Sequence, residues 1–476
     1  MNAVGDWIRG LPGRYGRRTL IALGLIALLG LVVRAYVVVN PVDNPADDSH
    51  AYYALSKALY EEGSFGGPEF HDSSDWSPGA PLLYAAAYYA TGGAREGTAR
   101  IVEALLGVAA ILVVFALTAR LAEPVARVRP EPPISRMRTD SAASSGAAQA
   151  AGLLAAFAMA VYPPFIHSTG ELMSEPPAIL SLPAAVLAFL WASERERPWW
   201  AWLVPGLLFG LTAMFRPEYL FVGAAFVVLA AIRVGVARGW RPGLAGAGLL
   251  VAAMLTPIIP WTVRNLDVLD RVVPISTGSG KALYVGTFYP ADGEYQRVKA
   301  ILYQRQTGAY LAPSSAALDA VNPTPLFNRV AERYPDLPRD SALGKIGKQN
   351  FSRYFGEDPL GYLGMTARKI GRMWSSGVGE AMSGTPGRVV QILLVALGLA
   401  GFVLLGLRRR WWELVAMATP IVLVTAVGAI SLAAPRRNEV LMTLVFPLAS
   451  IALAGAVSAI SSGREWSPQQ ASSPPN

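Results

Sequence analysis

The sequence predicts an all-α polytopic membrane protein, and three observations carry that prediction. Of 476 residues, 53% are hydrophobic and only 16% are charged, against about 25% charged in a soluble chain. The apolar residues gather in runs near the roughly 20 that cross a bilayer as a helix. Arg falls mostly in alternate connections between those runs, as cytoplasmic loops require. A soluble enzyme and a disordered chain are excluded. The net charge of +8 reads as that Arg bias rather than as affinity for nucleic acid. The chain has no Cys, which excludes disulfides, Cys-ligated zinc and iron–sulfur clusters.

The first run, 19–39, follows Arg9, Arg14, Arg17 and Arg18 and leaves through Asn40-Pro41-Val42-Asp43. It is longer than a signal peptide's apolar core of about 7–15 residues and has no small-residue cleavage site, so it predicts an uncleaved span. Further spans are predicted at 98–121, 147–165, 175–193, 199–215, 218–237, 243–261, 388–407, 412–432 and 439–461, about ten in all. With the N-terminus inside, the cytoplasmic loops hold Arg120, Arg127, Arg129, Arg136 and Arg138, then Arg195, Arg197, Arg233, Arg238 and Arg241, then Arg408 to Arg410. The short outer segments hold few: Lys57, Arg95, Arg216, Arg436 and Arg437. Both termini are therefore expected in the cytoplasm, with the active site facing outside. High Ala, Gly, Pro and Arg suits a GC-rich bacterial genome, and hence a bacterial plasma membrane.

Two outer segments are long. Segment 40–97 contains an amphipathic helix with Ala51, Tyr52, Leu55, Ala58 and Leu59 on one face, and a shorter stretch, 81–90, expected to lie in the interface. Segment 262–387 mixes aromatic residues with both charge signs, enough for a small α or α+β subdomain. The expected organisation is an N-terminal transmembrane catalytic module, 1–261, that includes the outer loop 40–97. An extracytoplasmic region, 262–387, C-terminal transmembrane helices, 388–461, and a disordered tail, 462–476, follow. The Arg-, Pro- and Ser-rich 122–146 reads as a cytoplasmic linker.

The densest acidic cluster, Asp43, Asp47 and Asp48, directly follows the first span. A carboxylate at a membrane surface can act as general base on a hydroxyl; equally, Asp48 or Ser49 can simply cap the helix that begins there. Asp47, Asp48 and His50 offer oxygen and imidazole ligands to a divalent ion, with His71 in the same loop, but adjacent ligands without a defined spacing are a weak metal pattern. Glu171 and Glu175 stand four apart before Pro176, where they suit either a helix start or a substrate site. Arg34, Arg216, Arg264 and the pair Arg436-Arg437 sit near the outer face. An ionisable group at such depth is a functional candidate, and Arg grips phosphate with a planar fork; snorkelling to headgroups is the alternative for any one of them. Together they suggest an anionic ligand outside. Ser279-Gly280-Lys281 is not a phosphate loop, since Ile275 and Ala282 replace the Gly and the Ser/Thr that motif needs.

Several landmarks occur in a recognisable order: Asp48-Ser49-x-x-Tyr52-x-x-Leu55 with Gly63-x-Phe65, Ser77-Pro78-Gly79-Ala80-Pro81, and Glu171 to Pro176. Pro260-Trp261-Thr262-Val263-Arg264-Asn265, Leu283-Tyr284-x-Gly286, Asp358-Pro359-Leu360-x-Tyr362 and Arg436-Arg437 before Phe446-Pro447 continue it. In this the chain resembles the GT-C superfamily of polytopic glycosyltransferases that use polyprenyl-phosphate sugars, in particular bacterial relatives of the protein O-mannosyltransferases and the aminoarabinose transferase. The resemblance implies a sugar moved from a polyprenyl phosphate to an extracytoplasmic acceptor hydroxyl, on a lipid, glycan or protein, with inversion. It makes Asp48 the general base, with Asp47, Glu171 and Glu175 as second carboxylates. Arg264, then Arg437, Arg436 and Arg216, would hold the donor phosphate, with Arg34 and Tyr52 as further donor-site residues and Trp76 on the acceptor side. No cofactor and no metal are implied. Where many relatives have an acidic residue after the base, this chain has Ser49, and the Lys-Pro of the aminoarabinose branch is missing from Ser77 to Pro81, which speaks against lipid A as acceptor. The rival functions are a transporter or flippase for a lipid-linked or anionic substrate, and a membrane-embedded ligase that uses a lipid-diphosphate oligosaccharide.

Overall fold

The computed structural model describes residues 15–41, 47–66, 74–123, 134–194 and 197–464, and among these every regular element is helical. Helices α1 (Arg17–Val39), α2 (Asp47–Glu61), α3 (Gly79–Thr91), α4 (Glu96–Ala122), α5 (Ile134–Val161), α6 (Pro163–Gly170) and α7 (Glu175–Ala192) come first. A 3₁₀ turn, Trp199–Trp202, opens α8 (Leu203–Phe215), followed by α9 (Tyr219–Arg238) and α10 (Trp240–Leu269). A polar cap region contains α11 (Ser279–Thr287), α12 (Tyr295–Thr307), α13 (Ala316–Asp319), α14 (Pro323–Ala331), α15 (Arg339–Glu357), α16 (Pro359–Ser375) and α17 (Glu380–Ser383). The chain then returns to the bundle through α18 (Thr385–Leu407), α19 (Trp411–Ile430) and α20 (Pro435–Arg464).

Eight of these helices are long and apolar enough to cross a membrane: α1, α4, α7, α9, α10, α18, α19 and α20. The chain is thus a multi-pass membrane protein. The other two expected spans differ from a straight crossing. The segment expected at 147–165 is a pair of helices, Gly146–Val161 and Pro163–Gly170, bent by 43°. Trp199–Phe215 is apolar but short. Of the linker read at 122–146, residues 134–146 are instead part of α5, and of the tail read from 462, residues 462–464 end α20. Positions 124–133, Asp43 to Ala46, His71 and the tail from 465 lie outside the described residues.

The bend in α5–α6 has a chemical cause in two consecutive prolines. Pro163 and Pro164 have no N–H, so the carbonyls of Met159 and Ala160 lose their helical donors. Arg34 supplies replacements: its Nη2 donates to Met159 O at 3.1 Å and its Nη1 to Ala160 O at 3.3 Å. Arg34 is 0% exposed, and Gly107 of α4 leaves the space its guanidinium occupies. Arg34, expected near a donor phosphate, is therefore committed to the bundle's own backbone. Elsewhere close packing relies on small residues: at Gly206 and Gly210 α8 lies directly against the α10 backbone at Leu250 and Met254, where a Cβ would collide.

The amphipathic reading of α2 holds, since Ala51, Tyr52, Leu55 and Ala58 are buried. α3 goes further than an interfacial helix, with Tyr84 and Tyr88 fully buried between α2 and α4. The cap has its own core of Tyr284, Val285, Phe288, Val298, Phe327, Leu343 and Ile346. It joins the bundle later than position 261, because α10 continues to Leu269 and ends on Asp270 in the left-handed region (φ 50°).

Candidate functional site

Four segments meet at the cap end of the bundle: the start of α2, the turn before α7, the Arg216–Glu218 link between α8 and α9, and the first turn of α20. Their side chains form one alternating chain of charge. Arg436 Nη1 donates to Asp48 Oδ2 at 2.6 Å, while its Nε and Nη2 fork onto Glu175 at 2.7 and 3.1 Å. Glu175 also accepts from Arg216 Nη1 at 2.5 Å, and Arg216 holds Glu218 through Nε and Nη2 at 3.0 and 2.9 Å. Arg437 lies beside Glu218 and Arg216, and its buried Nη1 has no hydrogen-bond partner.

Burial assigns different tasks to these groups. The Glu175 side chain is 1% exposed, whereas that of Asp48 is 40% exposed. Asp48 can therefore meet an incoming molecule and Glu175 cannot. Glu175 also sits in the first turn of α7 with proline following, so its helix-start role and its place in the cluster coincide. Two arginines in the first turn of α20 run against that helix's dipole. Asp48 and Glu175 offset this for Arg436, but Arg437 keeps an unsatisfied donor. Burial opposes ionisation of Glu218, but Arg216 and Arg437 outweigh it and hold the carboxyl below its usual range. For Tyr52, burial, then the charges of Asp48 and Glu175, push the phenol well above its usual value. It stays a neutral partner of Ser174.

The turn that carries Glu175 is pinned by side chains from three helices. Ser49 Oγ accepts from Leu172 N at 3.1 Å, Glu103 Oε1 accepts from Met173 N at 3.0 Å, and Tyr84 donates to Met173 O at 2.8 Å and to Glu103. Ser49 thus couples the helix start bearing Asp48 to the turn bearing Glu175. Glu103, Glu218 and the buried Glu439 were missed in the sequence. For Glu103 and Glu439 a signal existed, a carboxylate inside an apolar run.

Asp48, His50, Tyr52 and Trp76 form one wall of a cleft of about 630 Å³ whose other wall is the cap, including Lys281 and Phe327. Trp76 is set by its neighbours: Thr277 N donates to Ser74 O at 2.6 Å, Thr277 Oγ1 donates to Asp75 at 2.6 Å, and Arg339 pairs with Asp75. Lys281, from the rejected phosphate-loop segment, lies over the Tyr295 and Phe327 rings at 5.3 and 5.0 Å.

The structure thus brings Asp48, Glu175, Arg216, Arg436, Arg437, Tyr52 and Trp76 to one end of the bundle. The described contacts of Arg264 lie apart: it donates to Phe65 O at 2.8 Å and Asn265 Oδ1 at 3.0 Å and stands over the Phe65 and Trp261 rings. Glu171 faces His167 Nε2 at 3.6 Å. Asp47 is the first residue of α2, and its side chain lies outside the described set. Among the described residues no group of three or more His, Cys, Asp or Glu is arranged to hold a metal ion.

No protein-family model matches the sequence, and no curated protein is significantly similar to it. Solved structures do match. The archaeal oligosaccharyltransferase AglB from Archaeoglobus fulgidus, in complex with an inhibitory peptide and a dolichol-phosphate, superposes at 13% identity and a TM-score of 0.52. That match covers 96% of this chain and 52% of the other. The Archaeoglobus fulgidus enzyme tethered to an acceptor peptide gives 14% identity and a TM-score of 0.51, over 94% and 51% of the two chains. This chain spans about half the length of those proteins. The likeness shows that the fold is shared.

Proposed function

We propose that this chain, which has the fold of GT-C membrane glycosyltransferases, moves a sugar from a polyprenyl-phosphate donor to an acceptor hydroxyl bound in the cleft beneath the cap. The observation that carries this reading is the accessible Asp48 carboxylate at the mouth of a buried Arg–Glu network. The first solved relative is in complex with a dolichol-phosphate, the ligand chemistry such a network suits.

In the proposed reaction, Asp48 accepts the acceptor's hydroxyl proton as its oxygen attacks the anomeric carbon. The carbon–oxygen bond to phosphate breaks from the opposite face, so the centre inverts and the phosphate leaves with the bonding pair. Charge that grows on the phosphate is met by Arg436, Arg437 and Arg216, and such preorganised stabilisation is commonly a large part of catalysis. Glu175 and Glu218 hold two of those guanidiniums in place, and Arg437 keeps a donor that no protein group occupies. The three guanidiniums supply the positive charge, and no cofactor is proposed. Trp76, on the cleft wall, is assigned to the acceptor. The cap and cleft are assigned to the outside of a bacterial plasma membrane, with both termini in the cytoplasm.

The test incubates purified protein with a panel of radiolabelled polyprenyl-phosphate sugars and follows release of free polyprenyl phosphate. Release by the parent protein and its loss in Asp48→Asn is the expected result. Turnover of none of the panel would count against the donor class.

A further inference from the structure

α16 has two apolar faces rather than one. Tyr362, Met365, Lys369 and Met373 form its buried face. On another side Leu360, Leu363, Ala367 and Ile370 follow one another at helical spacing, and Trp374 ends the row packed against the bundle core. Leu360 is 82% exposed and Leu363 54%. No charge interrupts this stripe, because Arg368 and Arg372 occupy a separate edge, paired with Asp292. Phe351 and Phe355, from the last turns of α15, lie beside α16 at Tyr362. They are exposed, stack on one another at 5.4 Å, and both meet the Tyr362 ring edge-on. A contiguous apolar patch of this kind marks an interaction surface.

The position of α16 identifies what covers the patch. Trp374 Nε1 donates to Thr425 Oγ1 at 3.2 Å, and Lys369 Nζ donates to Ala429 O at 3.0 Å. Both acceptors lie within the apolar helix α19. Thr425 precedes the end of that helix at Ile430 by a little over one turn, so the Trp374 indole sits about 7 Å below its cap-side end at 1.5 Å per residue. Ile430 and Val422 of α19, and Val389, Val390, Ile392 and Leu393 of α18, are all exposed. These are lipid-facing surfaces, and α16 packs against both helices. Its stripe continues their apolar belt outward.

We infer that the α15–α16 hairpin is a lipid-surface anchor: the stripe from Trp374 to Leu360 enters the cap-side leaflet obliquely, with Leu360 at its outer rim. Phe351 and Phe355 lie in the headgroup layer. Amphipathic helices bury such faces about 5–10 Å into the headgroup–acyl boundary, and Trp is favoured at that level. The anchor fixes how the cap sits over the membrane, and it does not depend on what the cleft binds.

The chain has no Cys, so single substitutions can carry a polarity-sensitive fluorophore. Full-length L360C and L363C, labelled and placed in phosphatidylcholine nanodiscs, are compared with S314C, an exposed position in the cap. Blue-shifted emission at 360 and 363 is expected relative to 314. Acyl-brominated lipid should quench both labels, 363 more than 360, and leave 314 unquenched. Water-like emission at both stripe positions would overturn the proposal. Blue-shifted emission that bromine does not quench would also overturn it, because protein, a second copy or another partner, would then cover the stripe.

Discussion

Asp48 is the half-exposed end of a chain of charges whose inner members are buried, and that gradient separates a reacting group from its supports. Asp48→Asn keeps size and hydrogen bonding but removes the proton acceptor. General-base loss commonly costs about 10²–10⁴-fold in rate, while a lost helix cap costs about 1 kcal/mol. Transfer by Asp48→Asn should therefore collapse with little change in melting temperature, and Asp47→Asn should retain activity; near-parental transfer by Asp48→Asn would remove it from the chemistry. Arg437→Ala should weaken donor turnover, with Arg437→Lys restoring it only partly, since Lys loses the planar fork. Arg264→Ala should instead lower thermal stability, because it removes the bond to Phe65 O and two ring contacts; a donor-binding defect larger than that of Arg437→Ala would reverse the order. In the sequence, Arg34, Arg216, Arg264, Arg436 and Arg437 were grouped by proximity to one face of the membrane, and the order that put Arg264 first came from the resemblance. Which arginine meets a carboxylate, a carbonyl or an aromatic ring depends on helices far apart in the chain, and no local pattern encodes it.

Most elements were legible because an apolar run of fixed length has few other uses, and α2 showed its buried face through the spacing of Ala51, Tyr52, Leu55 and Leu59. The break between α5 and α6 was not legible as a break. Hydropathy does not register two prolines inside an apolar segment, although their missing N–H groups dictate the bend. Arg34 repairs that defect from another helix. Its loss should leave two buried carbonyls unsatisfied, at about 1–3 kcal/mol each. Arg34→Ala is thus expected to lower thermal stability in detergent severely, and Arg34→Lys less so. An Arg34→Ala protein that melts like the parent would show that water fills the gap.

The cap was foreseen from composition, but not that its docking would place a lysine in a dry contact with the bundle. Lys369 is 0% exposed and donates to two backbone carbonyls, Gly286 O at 2.8 Å and Ala429 O. Burial, then Arg372 and Arg437, push its amine down to about 8 from an ordinary 10.5. A cation whose folded value is depressed penalises folding below that value, and the penalty is relieved as pH rises toward the unfolded value. The melting temperature should accordingly climb between pH 8 and 10.5, and Lys369→Met should flatten the climb; an unchanged slope in the variant would assign it to other groups. For the orientation of the whole molecule, Cys at Ser314 should react with an impermeant thiol reagent in intact cells, and Cys at Ser144 only after the membrane is opened. Labelling at 144 in intact cells would invert the topology.

Arg436 bridges Asp48 and Glu175, so the proposed base and the proposed phosphate ligand occupy one another. A phosphate arriving at Arg436 competes for the same guanidinium and loosens its hold on Asp48. An acceptor that enters first meets a carboxylate already engaged, and water meets the same obstacle. The interlock makes a kinetic demand: donor should bind before acceptor, and initial-velocity patterns should be those of compulsory-order addition. Arg436→Gln should lose that order along with its donor affinity, and the donor that still binds should be hydrolysed more readily without acceptor.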